Sequence, residues 1–461
     1  MSAGSDLLSS GFSTADPSAW QTSAAKAGAL DRPPRSDDGI PVGPIYERRV
    51  DAVPVVDGSA GRPWLVVQRI SATDADAAGA ALLEEFTGGA DGVMLAFSDS
   101  LHPLGGHIPA EAAPVIASKV PSSIPAKSRI MFDAGCASAE ISASLLTTNV
   151  YNRFTLVLMW DPLAALAASR ITIEDLAGRA SSAANLIKVL DERGLEGQVA
   201  CADGRLWHAA GASEAQELAA ALATVVALLR SFEVAGVALD RAAARIGVAL
   251  AADSDQFLTI AKFRAMRLLL ARVLEESGLD AAIPVHAETA WRMMSRREPR
   301  MNVLRATGAA LAAAVGGADS ITVLPYDALD GPSSAAALRL ARNTQLIAAQ
   351  ESQIFRFADP AAGSGAIEAL TDGLAEKAWD RFRAIEAAGG LLTEGALGAL
   401  CEEVAATSVA RLARVADGEI EMVGVNVFRA PDAEPLAPAG PAASEGALAY
   451  HRLSETVEAL P

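Results

Sequence analysis

From residue 63 the chain alternates short runs rich in β-branched residues with longer segments whose apolar positions recur every three to four residues, the pattern of strand followed by helix. The runs Trp64–Ile70, Gly92–Phe97, Arg129–Asp133, Phe154–Trp160, Val199–Asp203, Ile246–Ala251, Ile283–His286 and Ser320–Leu324 read as strands. Helices are predicted over Ala75–Phe86, Ala110–Lys119, Ala137–Leu146, Glu174–Arg193, Ser213–Ala235, Gln256–Ser277 and Asn302–Val315. The eighth helix opens the stretch Leu338–Ser364, which runs into a turn marked by Asp359-Pro360, Gly363 and Gly365. Eight strand–helix units in sequence are the count for a closed (β/α)₈ TIM barrel, and right-handed crossovers close sequential parallel strands most simply in that way. An open doubly wound sheet is the alternative. It carries a glycine-rich phosphate loop after its first strand, and the loop here, Ser71-Ala72-Thr73-Asp74, has no glycine.

The flanks lack this alternation. Residues 1–62 read as an extended arm with one helical patch near Trp20–Leu30, and Pro33, Pro34, Pro41 and Pro44 oppose regular structure. Such an arm cannot fold alone; it lies along its own domain or wraps a partner, and its spaced apolar residues Phe12, Trp20, Ile40, Ile45 and Tyr46 suit a partner. Past the barrel, taken as 63–365, come helices over Ile367–Ala388 and Glu394–Val415 and a closing strand at Met422–Phe428, so that 366–428 forms a C-terminal addition. The remainder, 429–461, is a Pro/Ala-rich, linker-like tail ending in the start of one more helix.

Composition narrows the function classes. Of 461 residues 51% are hydrophobic but only 5% aromatic, so the helices should pack through small side chains. The net charge of −18 argues against a nucleic-acid surface and against attraction to anionic membrane lipid. The apolar runs are too short to span a bilayer, and the first residues show neither the basic n-region nor the h-region of a secretory signal. Cys136, Cys201 and Cys401 lie far apart without a CxxC, which suits a reducing cytoplasm and supports neither a disulfide framework nor a zinc site. There is no GxSxG, P-loop or HExxH. Asp133 and Asp161, near strand ends, read as paired carboxylates or as helix caps.

Several blocks resemble the methylmalonyl-CoA mutase family of adenosylcobalamin-dependent acyl-CoA mutases. They are Asp38-Gly39-Ile40 with Pro44-Ile45-Tyr46, Lys262–Ala265 with Arg267, Asn302-Val303 with Ala309–Gly317, Leu340–Gln345, Gln350-Glu351-Ser352, Asp359-Pro360, Glu368–Asp372 and Val423–Asn426. They fall in order from about residue 36 to the end of the C-terminal helices, and the family's fold is a (β/α)₈ barrel. Trp207–Leu218 is more similar to the small, non-catalytic subunit, because catalytic chains carry Tyr-His and a longer spacer where this chain has Trp207-His208.

The resemblance implies a radical rearrangement of an acyl-CoA inside the barrel, with the cofactor over its mouth. It also implies altered or vestigial pocket positions here. Arg69 stands at the position of a catalytic tyrosine. His208 matches a histidine that bonds the thioester carbonyl, the alternative being a histidine at a strand end with a local partner. His286 and Glu288 match a His-x-Gln pair, with Glu288 in place of glutamine and Ala290-Trp291 filling space a substrate needs. Arg264 is retained, as a pocket residue or an ion-paired structural one. Asp-x-His-x-x-Gly, the cobalt-ligating signature, is not matched: His102–Gly105 has Ser100 at the Asp position, and His451 lies alone.

These features imply no active catalytic residue, no metal and no cofactor site in this chain, with the cobalamin-binding domain absent. Adenosylcobalamin would be held by a catalytic large subunit in a cytoplasmic heterodimer interconverting (R)-methylmalonyl-CoA and succinyl-CoA. A catalytic substrate-binding subunit that borrows a separate cobalamin-binding subunit is the alternative, and a scaffold that loads or protects a mutase is a third reading. Asn343–Gln345 is expected to tie the barrel to the C-terminal helices.

Overall fold

The computed structural model describes residues 16–28, 36–55, 61–120, 124, 128–146, 154–430 and 448–458. Its sheet contains β1 (Leu65–Ile70), β2 (Gly92–Ala96), β3 (Arg129–Asp133), β4 (Thr155–Leu158), β5, β6 (Ile246–Ala252), β7 (Val285–Thr289) and β8 (Ser320–Thr322). β5 is one strand interrupted at Val199. Its first piece, Gly197–Gln198, pairs with β4 and its second, Ala200–Asp203, pairs with β6. Every pairing is parallel, and β1 pairs with both β2 and β8, so the eight strands run in sequential order around a (β/α)₈ barrel. Cys201 N donates to Trp160 O at 2.9 Å, which carries the closure past the break.

Residues alternate across each strand, so one set faces the axis and the other the surrounding helices. Val67, Met94, Met131, Val157, Met159, Cys201 and Ala249 form one buried cluster on the axis. The outward set, with Val66, Val93, Leu95, Ile130 and Leu156, packs beneath helices that supply mostly alanine and leucine. Small side chains bring helix backbones together. At Gly316 a Cβ would stand 2.8 Å from Phe263 Cβ and 3.0 Å from Ile260 O, where the helix Met301–Val315 ends against Gln256–Glu276.

Several elements differ from the sequence reading. β7 runs on through Glu288 and Thr289, because buried polar side chains masked its extent. Three short helices follow strand ends or loops, at Pro162–Ala167, Gly204–Ala209 and Leu239–Ala243. Met422–Phe428 is a turn rather than a closing strand. Gly424 is left-handed, and Asn426 folds back, accepting from Met422 N at 2.6 Å and donating to Ile420 O at 2.8 Å. The helix Ala335–Leu346 extends as a π turn over Ile347–Glu351. Its polar patch ties elsewhere than expected: Gln345 accepts from Trp64 Nε1 at 3.1 Å, and neighbouring Arg342 pairs with Glu85, both at the start of the barrel rather than on the C-terminal helices.

Between 36 and 55 the arm lies along its own chain. Asp37 pairs with Arg411 and Arg414, Asp38 accepts from Ser213 and Ala215, and Arg49 reaches Asp372. A helix forms at Pro17–Lys26, capped by Asp16; Phe12 falls outside the described residues. The tail residues 448–458 also dock on the barrel, which a linker reading does not anticipate: His451 N donates to Ala209 O and Leu453 N to Arg292 O, both at 3.0 Å.

Candidate functional site

The carboxyl ends of barrel strands are where this fold places chemistry. Here they carry a closed set of charges. Arg69 on β1 donates through Nη1 to Asp133 Oδ2 on β3 at 2.7 Å and through Nη2 to Gly105 O at 3.0 Å. Arg205, just past β5, grips Asp203 with Nε to Oδ1 at 2.8 Å and Nη2 to Oδ2 at 2.6 Å. Glu288 on β7 lies between the two cations: Oε2 is 3.1 Å from Arg205 Nη1 and 3.8 Å from Arg69 Nη1. Its other oxygen stands 2.7 Å from His102 Nε2. The tautomer of His102 follows, because Nδ1 accepts from Leu104 N at 3.2 Å and the proton therefore sits on Nε2, facing Glu288. All six side chains are buried, with Arg69 only 4% exposed and Glu288 2%.

The cage balances two guanidinium groups against three carboxylates and a histidine. Burial alone would raise Asp133 and Glu288, but Arg205 and Arg69 outweigh it and hold both carboxyls below their ordinary values. Burial keeps His102 below its ordinary pKa, with Glu288 opposing. Each guanidinium is thus occupied by a carboxylate of the chain itself. Such a cage is buried, and it offers no free cation to a carboxylate or phosphate.

A second buried network adjoins it. His208 Nε2 lies 3.1 Å from Asp253 Oδ2, which also accepts from Arg292 Nη2 at 2.7 Å; Arg292 Nη2 is 3.3 Å from Glu214 Oε1. Burial, then Arg292 and Lys262, hold His208 well below its ordinary pKa, so it is neutral. His208, Glu214 and Asp253 bring ligand atoms within 4.8 Å of one another, a spacing that could take a metal ion. Arg292 already supplies the positive charge there, so the group reads as an ion-pair hub. Beside it, Lys262 Nζ meets Glu217 Oε2 at 2.7 Å with both side chains fully buried, and burial pushes Glu217 up to about 7.

The residues singled out from the sequence divide among several places. Arg69 and Glu288 meet in the cage. His286 lies deeper on β7, with Nδ1 2.8 Å from Ser320 Oγ, and burial lowers its pKa to about 3. Trp207 and His208 sit in the helix Gly204–Ala209 rather than at a strand end, and Trp207 is fully buried. Trp291 packs at the start of a short turn after β7. Arg264 is remote from the mouth. Fully buried, it pairs with Asp359, reaches Glu368 Oε1 at 2.8 Å and Thr371 Oγ1 at 3.3 Å, and so locks the turn after the eighth helix to the C-terminal helix Gly365–Ala387.

Asp161 is a cap, accepting from Leu163 N and Ala164 N at 2.8 Å, whereas Asp133 is an ion-pair partner. The cage and hub also use Arg205, Asp203, Asp253 and Arg292, which the sequence pattern does not single out. The one available sign was an Asp-x-Arg directly after a predicted strand.

An eight-stranded α/β barrel with its mouth filled by paired charges defines the class of protein. The methylmalonyl-CoA mutase family model matches residues 152–448, and the chain belongs to that family. The methylmalonyl-CoA mutase small subunit of Streptomyces virginiae is 36% identical over 449 residues, covering 92% of this chain and 70% of its own length. That of Propionibacterium freudenreichii subsp. shermanii is 38% identical over 267 residues, 56% of this chain and 41% of its own. The methylmalonyl-CoA mutase of Cereibacter sphaeroides is 27% identical over 453 residues, 87% of this chain and 62% of its own. The chain therefore spans part of the length of each relative. Among the described residues no helix is long and apolar enough to cross a membrane.

Proposed function

We propose that this chain is the small, non-catalytic subunit of a heterodimeric methylmalonyl-CoA mutase, supporting a catalytic large subunit in the interconversion of (R)-methylmalonyl-CoA and succinyl-CoA. The observation that carries the reading is the cage. Arg69 and Arg205 are saturated by Asp133, Asp203 and Glu288, so an incoming acyl-CoA carboxylate meets no free cation and a surplus of negative charge. Opening the cage would strand buried charge at a cost of roughly 3–5 kcal/mol per broken pair.

Adenosylcobalamin would supply the radical chemistry in the complex, and the residues described here do not fit it. Tyr450 and Arg452 of the tail are buried against the barrel mouth, and Leu448 packs into the core. Of the five histidines, His102, His208 and His286 are buried and engaged within the barrel, His107 is an exposed loop residue, and His451 is half-exposed beside Glu455. In this reading the partner holds the cofactor. The homologous small subunits support the assignment of a large-subunit partner.

Co-expression with a catalytic chain tests the reading. The two should co-elute at a fixed ratio, with mutase turnover present in the complex and absent from this chain alone. Turnover by this chain with a free cobalamin-binding subunit would instead establish a catalytic, substrate-binding role, and transient association would indicate a scaffold.

A further inference from the structure

We propose that residues 448–458 form a strap over the carboxyl-end mouth of the barrel, and that its closure is coupled to the seating of the N-terminal arm through residues 208–215, the junction between the helices Gly204–Ala209 and Glu214–Val234.

The strap begins extended, and its burial alternates. Leu448, Tyr450, Arg452 and Ser454 are buried, while Ala449, His451 and Leu453 are not, so one edge faces the barrel throughout. It crosses the mouth. Tyr450 lies within electrostatic reach of Asp203, Asp133 and Asp161, at the ends of β5, β3 and β4, and its phenol is raised by burial first and by those carboxylates second. Arg452 and Ser454 lie on the far side, over the loop after β7. Arg452 donates to Met294 O at 3.3 Å and grips Glu458 at 2.9 and 3.1 Å; Glu458 in turn accepts from Ser295 Oγ at 2.8 Å and Arg296 N at 2.7 Å. These bonds and the buried side chains make the strap a docked element with its own anchor.

The junction 208–215 is gripped from three directions. The strap takes Ala209 O through His451 N. Arg292 holds Ala212 O at 2.8 Å and His208 O at 3.4 Å, while its own carbonyl receives Leu453 N of the strap at 3.0 Å. The arm takes the rest: Asp38 accepts from Ser213 Oγ at 2.5 Å and Ala215 N at 3.0 Å, and Asp37 holds Arg411, which donates to Gly211 O at 2.6 Å and Ala212 O at 3.3 Å. Gly211 is left-handed at φ +106 and a Cβ there would run into Ser408, so the junction has one way to sit. Lifting the arm removes the Asp38 bonds to this segment and the Asp37 grip on Arg411, and the same segment carries the strap bond at Ala209 and the Arg292 bonds at His208 and Ala212. A partner that draws the arm away therefore loosens the cover of the mouth.

Hydrogen exchange read by mass spectrometry on the full chain tests the coupling. Asp38→Ala should speed exchange across 448–458 by about tenfold or more while the amides of Ile246–Ala252 stay slow. Arg49→Ala, which removes the contact with Asp372 but leaves Asp37 and Asp38 seated, should leave the strap at the wild-type rate. Coupling is reciprocal, so Arg452→Ala should speed exchange at the Ala215 amide. Should Asp38→Ala fail to fold, Asp38→Asn, which keeps an acceptor of the same size but no charge, is read against the same controls. An unchanged strap in the Asp38 variant overturns the proposal, as does an equal loosening in Arg49→Ala.

Discussion

Arg69 on β1 and Asp133 on β3 meet at 2.7 Å over the end of β2, so charge joins two strands whose backbones each pair with the strand between them and not with each other. Both side chains are buried. Truncating one leaves the other charged without water, which makes such a pair costly to break even where it adds little as a pair. Arg69→Ala should therefore destabilise the chain by about 3–5 kcal/mol, whereas the paired change Arg69→Met with Asp133→Leu should recover most of that loss. Urea denaturation of the three proteins checks both halves, and a mild single variant would mean that water reaches the cage.

Arg264 shows how a buried arginine can be structural in the middle of a family block. Its guanidinium serves Asp359, Glu368 and Thr371 at once, and Asp359 also accepts from Val55 N of the arm at 2.8 Å. Lysine keeps the charge and loses the planar fork. Arg264→Lys should lower stability by roughly 1–3 kcal/mol. It should leave the mouth unaltered, so that exchange at the amides of β1, β3 and β7 keeps its wild-type order while the turn around Asp359 exchanges faster. A variant as stable as wild type would show that the charge alone suffices.

The barrel was legible in the sequence because eight β-branched runs separated by helical periodicity leave few other topologies. The filled mouth was less so. The charge of Glu288 stands out in the sequence, but its strand extends past the apolar run ending at His286, since a buried carboxylate breaks the pattern that reveals a strand. Its partners Arg205 and His102 come from the short helix after β5 and the loop after β2, and only closure of the barrel brings them to it. Arg264 was open to a pocket role because its partners lie 95 and 104 residues away. The strap was hidden for a different reason: Leu448, Tyr450, Arg452 and Ser454 alternate as a strand does but pair with no sheet, and nothing in their spacing names the barrel mouth as their contact.

His286 and His208 give the pH dependence a definite sign. Burial holds His286 at about 3 and His208 well below its ordinary value, while the unfolded chain takes up protons near pH 6.5. The unfolded state then binds more protons, so their contribution is fully present above pH 6.5 and is lost as pH falls from there. Each buried neutral histidine should steepen the acid loss by up to about 1.4 kcal/mol per pH unit. His286→Gln, which offers Ser320 a neutral partner, should flatten the dependence of stability between pH 6.5 and 4.5. Thermal unfolding across that range decides it, and an identical slope in the variant would place the protonation elsewhere.

Arg292 fills the space between His208, Glu214 and Asp253 that a cation would otherwise take. Cobalt(II) titrated into the wild-type chain should therefore give no ligand-field absorbance. Arg292→Ala, if it remains folded by circular dichroism, should gain a weak band, because two carboxylates and a neutral histidine are then left without their counter-charge. A band in the wild type would mean that the metal displaces the guanidinium, and the hub would have to be read as a metal site.

The sharpest separation of the two functional readings lies at His208 in the assembled complex. If this barrel chemically transforms an acyl-CoA, His208 is its best candidate for contact with the thioester. Removing the imidazole would then lower turnover by the two to four orders of magnitude expected of an acid–base or carbonyl-binding group. If the barrel only supports its partner, His208→Gln disturbs the Asp253 and Arg292 pairs and nothing else. The complex should then form with unchanged stoichiometry and keep a kcat within about twofold of wild type, while this subunit melts lower by several degrees. Measuring turnover and subunit ratio on the same preparation keeps the two apart. A large fall in kcat with the ratio intact would sink the non-catalytic reading, whereas a fall that follows loss of this subunit would locate the effect in assembly.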